Sequence, residues 1–202
     1  MKFSLCIILL ILTTILYSHT KFIEKENQMT NSKPKILIAY ASEAGSTAEI
    51  ASFINDILLE AGLSSTHTNI KNINSFDEYD VIFIGSPIYM GKWKKEATKF
   101  IEKNQKQLNN KKVFYFLTCM SLTLNDEEKL AEVPNFLNYE RSLIKPLSEG
   151  RFAGVINPKK LSFMQKLIIK MVKAPEGDFR NWEEITQWTK ECLSIIKTKT
   201  VE

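Results

Sequence analysis

The strongest constraint on this chain is a short apolar run that stops at a polar loop and gives way at once to a helical pattern. Residues 36–40 read Ile-Leu-Ile-Ala-Tyr, and residues 42–47 read Ser-Glu-Ala-Gly-Ser-Thr. Apolar residues then recur at helical spacing as Ile50, Phe53, Ile54, Ile57 and Leu58, up to Gly62. This is a strand, a tight loop and a helix N-terminus. Such a junction gathers unpaired backbone N–H groups, hydroxyls and the positive end of a helix dipole at one point, which suits a phosphate. The loop lacks the lysine of GxxxxGK[ST] and the glycines of GxGxxG. A hydroxyl-rich loop without lysine fits the phosphate monoester of a cofactor rather than a triphosphate with its metal. Ordinary turns and caps also favour Ser, Thr and Gly, so the loop alone does not separate a phosphate site from a plain turn.

The alternation continues along the chain. Residues 64–70 read as a half-buried second strand, and 81–85 as a third that is apolar on both faces, as a central parallel strand must be. A helix is predicted at 94–104, strands at 113–118 and 152–156, and a closing helix at 181–196 with Asn181 and Glu184 in capping-box spacing. Strands alternating with helices predict an α/β domain, a parallel sheet covered by helices on both faces. The 202 residues suffice for one such domain with a real core. Cys6, Cys119 and Cys192 are far apart and form no CxxC or Cys/His cluster, so neither a zinc site nor a disulfide framework is supported. His67 reads as a strand residue rather than a catalyst. No metal and no nucleic-acid partner is expected.

Three segments exceed a minimal five-stranded unit. Residues 119–149 form a long connection with a charged stretch at 125–132 and a predicted helix at 136–144; connections of this length are usually functional, and this one is the candidate for substrate contact. Residues 161–173 form a basic amphipathic helix, with Leu161, Met164, Leu167, Ile168 and Met171 on one side and Lys166, Lys170 and Lys173 largely elsewhere. Two readings stay open: a core-packed helix with a solvated lysine face, or contact with a membrane surface or anionic partner. Residues 3–17 are an uncharged apolar run after Lys2, shorter than the ~20 residues of a comfortable spanning helix. Leu16 and Tyr17 make a poor cleavage context. An uncleaved N-terminal anchor within residues 1–28 is favoured, giving a membrane-associated protein. If translation starts at Met29, the domain is cytoplasmic.

In an open parallel sheet, ligands bind beyond the carboxyl ends of the strands, at the switch point in strand order. Three loops should meet there. The first supplies Ser42, Glu43, Ala44, Gly45, Ser46 and Thr47. The second, after the third strand, supplies Ser86, Pro87, Ile88, Tyr89, Met90 and Gly91, and the third supplies Thr118, Cys119, Met120 and Ser121. Gly91 would let backbone approach a ligand closely. Tyr89 or Trp93 could cover an aromatic ring, although edge packing is an equal reading for Trp93. One loop for a phosphate and two for a planar ring describe a flavin mononucleotide (FMN) pocket.

On Ser42-x-x-Gly45-x-Thr47 and GSPIYMGKW, the chain resembles the flavodoxin family over about residues 35–197. The resemblance implies a three-layer sandwich, a five-stranded parallel sheet of order 2-1-3-4-5, and FMN as cofactor. The chain departs from plain flavodoxins in three ways. Its net charge of +4 is basic where they are typically acidic, Ala44 replaces the usual threonine, and the basic helix is followed by GDFRNWEEITQW. With the long 119–149 segment, that ending is more similar to the menaquinone-dependent protoporphyrinogen oxidase branch. The branch likeness implies an FMN-dependent oxidoreductase of haem biosynthesis, passing electrons from a reduced organic substrate such as protoporphyrinogen IX via FMN to a quinone at a membrane. No catalytic acid or base can be named. The alternatives are a flavodoxin-type single-electron carrier between protein partners, and a binding module that has lost its cofactor, which Ala44 keeps open.

Overall fold

Runs of β-branched and aromatic residues build the sheet, because their stiff side chains pack well on a pleated surface. The computed structural model describes residues 17, 19–21, 33–42, 45–124, 126–160, 163–171 and 175–198. It divides into a unit Met1–Lys33 and a unit Pro34–Glu202. In the first unit the described residues 17 and 19–21 are helical; apart from Tyr17, the predicted anchor at 3–17 lies outside the described residues. No helix among the described residues is long and apolar enough to cross a membrane.

In the second unit the order is β1 (Lys35–Tyr40), α1 (Ser46–Glu60), β2 (Ser64–Asn69), β3 (Val81–Tyr89), β4 (Lys92–Trp93), α2 (Lys95–Leu108) and β5 (Lys112–Thr118). There follow α3 (Glu127–Glu132), α4 (Asn138–Leu143), β6 (Glu149–Phe152), β7 (Val155–Ile156), α5 (Phe163–Met171), β8 (Gly177–Asp178) and α6 (Trp182–Lys197). The main sheet runs β2-β1-β3-β5-β6, all parallel, with β4 paired antiparallel to the end of β3. This is the predicted order, the fourth and fifth strands of the prediction being β5 and β6.

Alternate side chains leave each strand on opposite faces, and both faces are buried. Ile36, Ile38, Val81, Phe83, Phe114 and Phe116 pack under α1 and α6. Leu37, Ala39, Ile82, Ile84, Val113, Tyr115 and Leu117 pack against α2 and the 133–144 segment. The Asn181 side chain caps α6 by accepting from the Glu183 and Glu184 N–H groups at 3.1 Å.

The fifth strand differs from its prediction. It spans Glu149–Phe152 and not 152–156; Val155–Ile156 leaves the sheet and pairs with β8 in a separate antiparallel ribbon. The pattern was obscured because β6 is a sheet edge whose first three residues are Glu, Gly and Arg. Arg141 forks onto Glu149 through Nε at 2.5 Å and a terminal nitrogen at 2.7 Å, which holds the strand end in place. Gly150 is required there: a Cβ would fall 2.5 Å from the Phe152 ring and 3.0 Å from Trp188.

Burial works against the Glu149 carboxylate, yet Arg141 and Arg151 together hold it below the usual range. A depressed native pKa contributes stability that is fully present above the unfolded value, near pH 4.5, and is lost as the pH falls through the native value. Thermal melts between pH 6 and pH 3 should therefore show a drop in Tm that is smaller in Glu149→Gln. An identical pH slope in both proteins would contradict this role.

The amphipathic helix also departs from one of its two readings. In α5, Phe163 is 81% exposed, Met164 58%, Leu167 46% and Met171 74%. None of these four side chains is packed into the core, and Lys166 and Lys170 are exposed as well; Leu161 and Lys173 of the predicted helix lie outside the described residues.

Candidate functional site

The carboxyl ends of β1, β3 and β5 open onto one cavity of about 990 Å³, at the top of the ~300–1,000 Å³ range of ligand pockets. Ser42, Gly45, Ser46 and Thr47 line it, with Pro87 to Gly91 and Thr118 to Ser121. Glu43 and Ala44 lie outside the described residues.

Gly45 makes the first corner. It is the N-cap residue of α1 at φ 100°, a left-handed conformation that a side chain would strain, and no side chain caps the helix. The first-turn N–H groups are left for a ligand. The hydroxyls around them are set as donors. Ser42 Oγ accepts from the Gly45 N–H at 3.2 Å, and Ser46 Oγ accepts from the Val155 N–H at 3.0 Å; each keeps its own O–H to give. Thr47 Oγ1 and Thr118 Oγ1 lie 2.8 Å apart and both residues are buried. One donates to the other, so the pair supplies one further O–H.

The second loop is a hairpin. Tyr89 pairs with Lys92 across Met90-Gly91, at φ 51° and 74°, as a two-residue β-turn requires. Tyr89 is exposed at the cavity edge. Ser86, predicted as a cofactor contact, is not among the residues that line the cavity. It is fully buried, accepts from the Lys94 N–H at 3.0 Å and donates to the Pro87 carbonyl at 3.0 Å, so it shapes the loop from behind. Trp93 does not fold outward over a ring: it is 4% exposed and meets Tyr115 edge-on at 5.0 Å. Its Nε1 is buried without an acceptor among the described residues. His67 sits in β2 stacked on Tyr40 at 6.4 Å, away from the cavity wall.

Part of the wall comes from residues the sequence did not single out, two of them within the 119–149 connection expected to contact substrate. Gly154 and Val155 come from the β7–β8 ribbon, Phe136 and Thr123 from the long connection, and Ile169 from α5. The ribbon is tied down by Arg180, whose Nε donates to Asp178 at 2.8 Å, whose guanidinium also pairs with Glu49 of α1, and which lies 4.5 Å over the Trp182 ring. The hydrogen bonds to Asp178 and Glu49 hold the Arg180 pKa up, and Asp178 is correspondingly held down by Arg180. Lys92, Lys94, Lys95 and Glu96 line the other side. A bond from its own N–H, then Lys94 and Lys71, keep the Glu96 carboxylate below the usual range despite some burial. Lys92 belongs to the GSPIYMGKW motif and Asp178, Arg180 and Trp182 to GDFRNWEEITQW, but neither motif shows by itself that folding brings these residues to one cavity.

Donors gathered at an uncapped helix end, beside two loops rich in flat and small residues, fit a phosphate monoester joined to a planar ring. The comparisons agree with that class. The flavodoxin domain family model matches residues 37–182, and the chain belongs to this family. Among its relatives is the protoporphyrinogen IX dehydrogenase [quinone] of Escherichia coli (strain K12), 22% identical over 184 residues that cover 83% of this chain and 99% of the relative. Similar solved structures include oxidised flavodoxin 2 from Bacillus cereus (TM-score 0.53, 20% identity, covering 80% of this chain and 99% of that one). The Fusobacterium nucleatum flavodoxin bound to flavin mononucleotide is another (TM-score 0.52, 14% identity, covering 81% and 99%).

Proposed function

We propose that this protein is an FMN-dependent oxidoreductase that takes electrons from a reduced organic substrate of the protoporphyrinogen type and delivers them to a quinone. The observation that carries this reading is the likeness to the Escherichia coli dehydrogenase over 99% of that enzyme's length. A cavity that continues past the three loops to Thr123 and Phe136 is consistent with it.

When bound, FMN supplies a site that accepts and releases two electrons. The residues of this chain hold and shield it. Ser42, Ser46 and the Thr47–Thr118 pair offer O–H donors to the phosphate, alongside the α1 N–H groups and dipole. The Pro87 to Gly91 and Thr118 to Ser121 loops frame the ring. Phe136, from the long connection, adds an apolar wall on which an organic substrate can lie.

The reading also assigns residues 1–28 as an anchor and α5 as a membrane-surface contact, which makes the protein membrane-associated. Support for the second comes from exposed Phe163, Met164 and Met171 on the same short helix as exposed Lys166 and Lys170, the composition of an interfacial helix. Co-sedimentation of a protein lacking residues 1–28 with vesicles containing anionic lipid should fall severalfold in Phe163→Glu/Met171→Glu, and undiminished binding would remove α5 from the contact.

The function itself is tested by adding protoporphyrinogen IX to the FMN-loaded protein without oxygen and following flavin absorbance. The expected result is prompt bleaching, reversed by a menaquinone analogue. A flavin spectrum that ignores the porphyrinogen would overturn the assignment and leave the single-electron carrier.

A further inference from the structure

We propose that Arg180, which is not among the residues lining the cavity, is a positioning residue for the FMN phosphate: it clamps the β7–β8 ribbon onto α1 and so holds the Ser46 hydroxyl in its donating orientation. The inference rests on the phosphate site described above and is independent of which substrate the flavin oxidises.

The ribbon is too small to hold itself. Its ladder is Val155 with Asp178 and Ile156 with Gly177, and even an isolated full hairpin is marginal in water. It also closes the base of the chain segment that carries α5, and loop closure costs entropy. Yet this ribbon supplies the wall beside the phosphate loop. The Val155 N–H donates to Ser46 Oγ at 3.0 Å, and the Gly154 carbonyl accepts from the Phe179 N–H at 3.1 Å. A Cβ on Gly154 would fall 3.5 Å from Ser46 Cβ and Oγ. A serine hydroxyl carries one proton. With the Val155 N–H on its acceptor side, the Ser46 O–H is left to donate to a phosphate at the N-terminus of α1; without that bond the hydroxyl is free to rotate.

Arg180 fastens the ribbon. It forks onto Asp178 through Nε at 2.8 Å and a terminal nitrogen at 2.5 Å, and its other terminal nitrogen pairs with Glu49. Glu49 and Ser46 both stand in the first turn of α1, and Asp178 is the cross-strand partner of Val155. The contacts therefore close a ring: Glu49, Arg180, Asp178, Val155, Ser46 and back to α1. The guanidinium lies 4.5 Å over the Trp182 ring, which meets Phe53 of α1 at 4.7 Å. Exposed ion pairs contribute little, but a forked pair of fixed geometry is the exception, and the Arg180 side chain is only 11% exposed.

The test is a titration of the flavin-free full chain with FMN and with riboflavin, read by quenching of flavin fluorescence. Arg180→Gln should weaken FMN binding about tenfold, as the loss of one hydrogen bond to a charged group would, and riboflavin binding less than about twofold. Near-native riboflavin affinity also shows that the variant is folded. In a Ser46→Ala background the same substitution should cost FMN less than about twofold more, because residues that act through one another do not add. Asp178→Asn is the second variant. It removes a negative charge, which by charge alone would tighten FMN, but it breaks the fork and should weaken FMN severalfold. Unchanged FMN affinity in Arg180→Gln, an equal loss for both flavins, a full loss that persists in Ser46→Ala, or tighter FMN binding in Asp178→Asn would each overturn the clamp while leaving the phosphate site in place. Equal affinity of the native protein for the two flavins would overturn the phosphate site and the clamp with it.

Discussion

Replacing Trp188 with alanine is expected to lower the unfolding free energy by about 3–5 kcal/mol, measured by urea denaturation. The residue sits where α6 meets three strands. Its ring faces Phe83 edge-on at 5.8 Å and Phe152 at 5.5 Å, with Phe116 at 6.3 Å. Its Nε1 donates to Ser148 Oγ at 3.0 Å, so the alanine variant both opens a cavity between closely packed rings and removes a hydrogen bond. Domains of this size are stable by only about 5–15 kcal/mol, so the loss is a large share of the total. Trp188→Phe keeps most of the ring contact and loses the hydrogen bond, so it should cost about 1–2 kcal/mol. A loss below 1 kcal/mol in Trp188→Ala would mean that α6 does not close the sheet as described.

Thr47→Val should weaken FMN binding by about 10- to 100-fold, since a hydrogen bond to a charged group contributes about 1.5–3 kcal/mol. The exchange keeps shape and burial but removes the O–H that the Thr47–Thr118 pair can offer, and leaves Thr118 Oγ1 without its 2.8 Å partner. Titration of the apoprotein, read by quenching of flavin fluorescence, measures the loss. An unchanged affinity would remove Thr47 from the phosphate site. Part of the fall arises inside the protein, so riboflavin, which has no phosphate, should lose less affinity than FMN in the same variant.

The parallel sheet and the position of the cavity were legible because both follow from local patterns, while the strand order came from the resemblance to the flavodoxin family. Ile36 to Tyr40 and Val81 to Ile84 are apolar on both faces, and only a parallel sheet with two helical layers buries both. The strand-to-helix junction at Gly45 then fixes where loops converge. Other features depended on contacts between distant segments. Glu149-Gly150-Arg151 carries no apolar signal, and it becomes a strand because Arg141 holds Glu149 and the Phe152 ring needs the space beside Gly150. Ser86 resembles a loop ligand in one dimension, yet its hydroxyl turns inward to the Lys94 N–H. The helical period of α5 identified an apolar side but not what would cover it, and that side is exposed in Phe163 and Met171. Arg180 reaches Glu49 across 131 residues, a pairing that no local rule could supply.

The measurement that bears most directly on the account is a titration of the flavin-free protein with FMN and with riboflavin under identical conditions. The account predicts one FMN bound per chain, and riboflavin bound at least ~100-fold more weakly, because several charge-assisted hydrogen bonds to the phosphate are lost together. Equal affinity for the two flavins would contradict it, since the hydroxyls of Ser42, Ser46 and Thr47 and the uncapped end of α1 would then hold nothing.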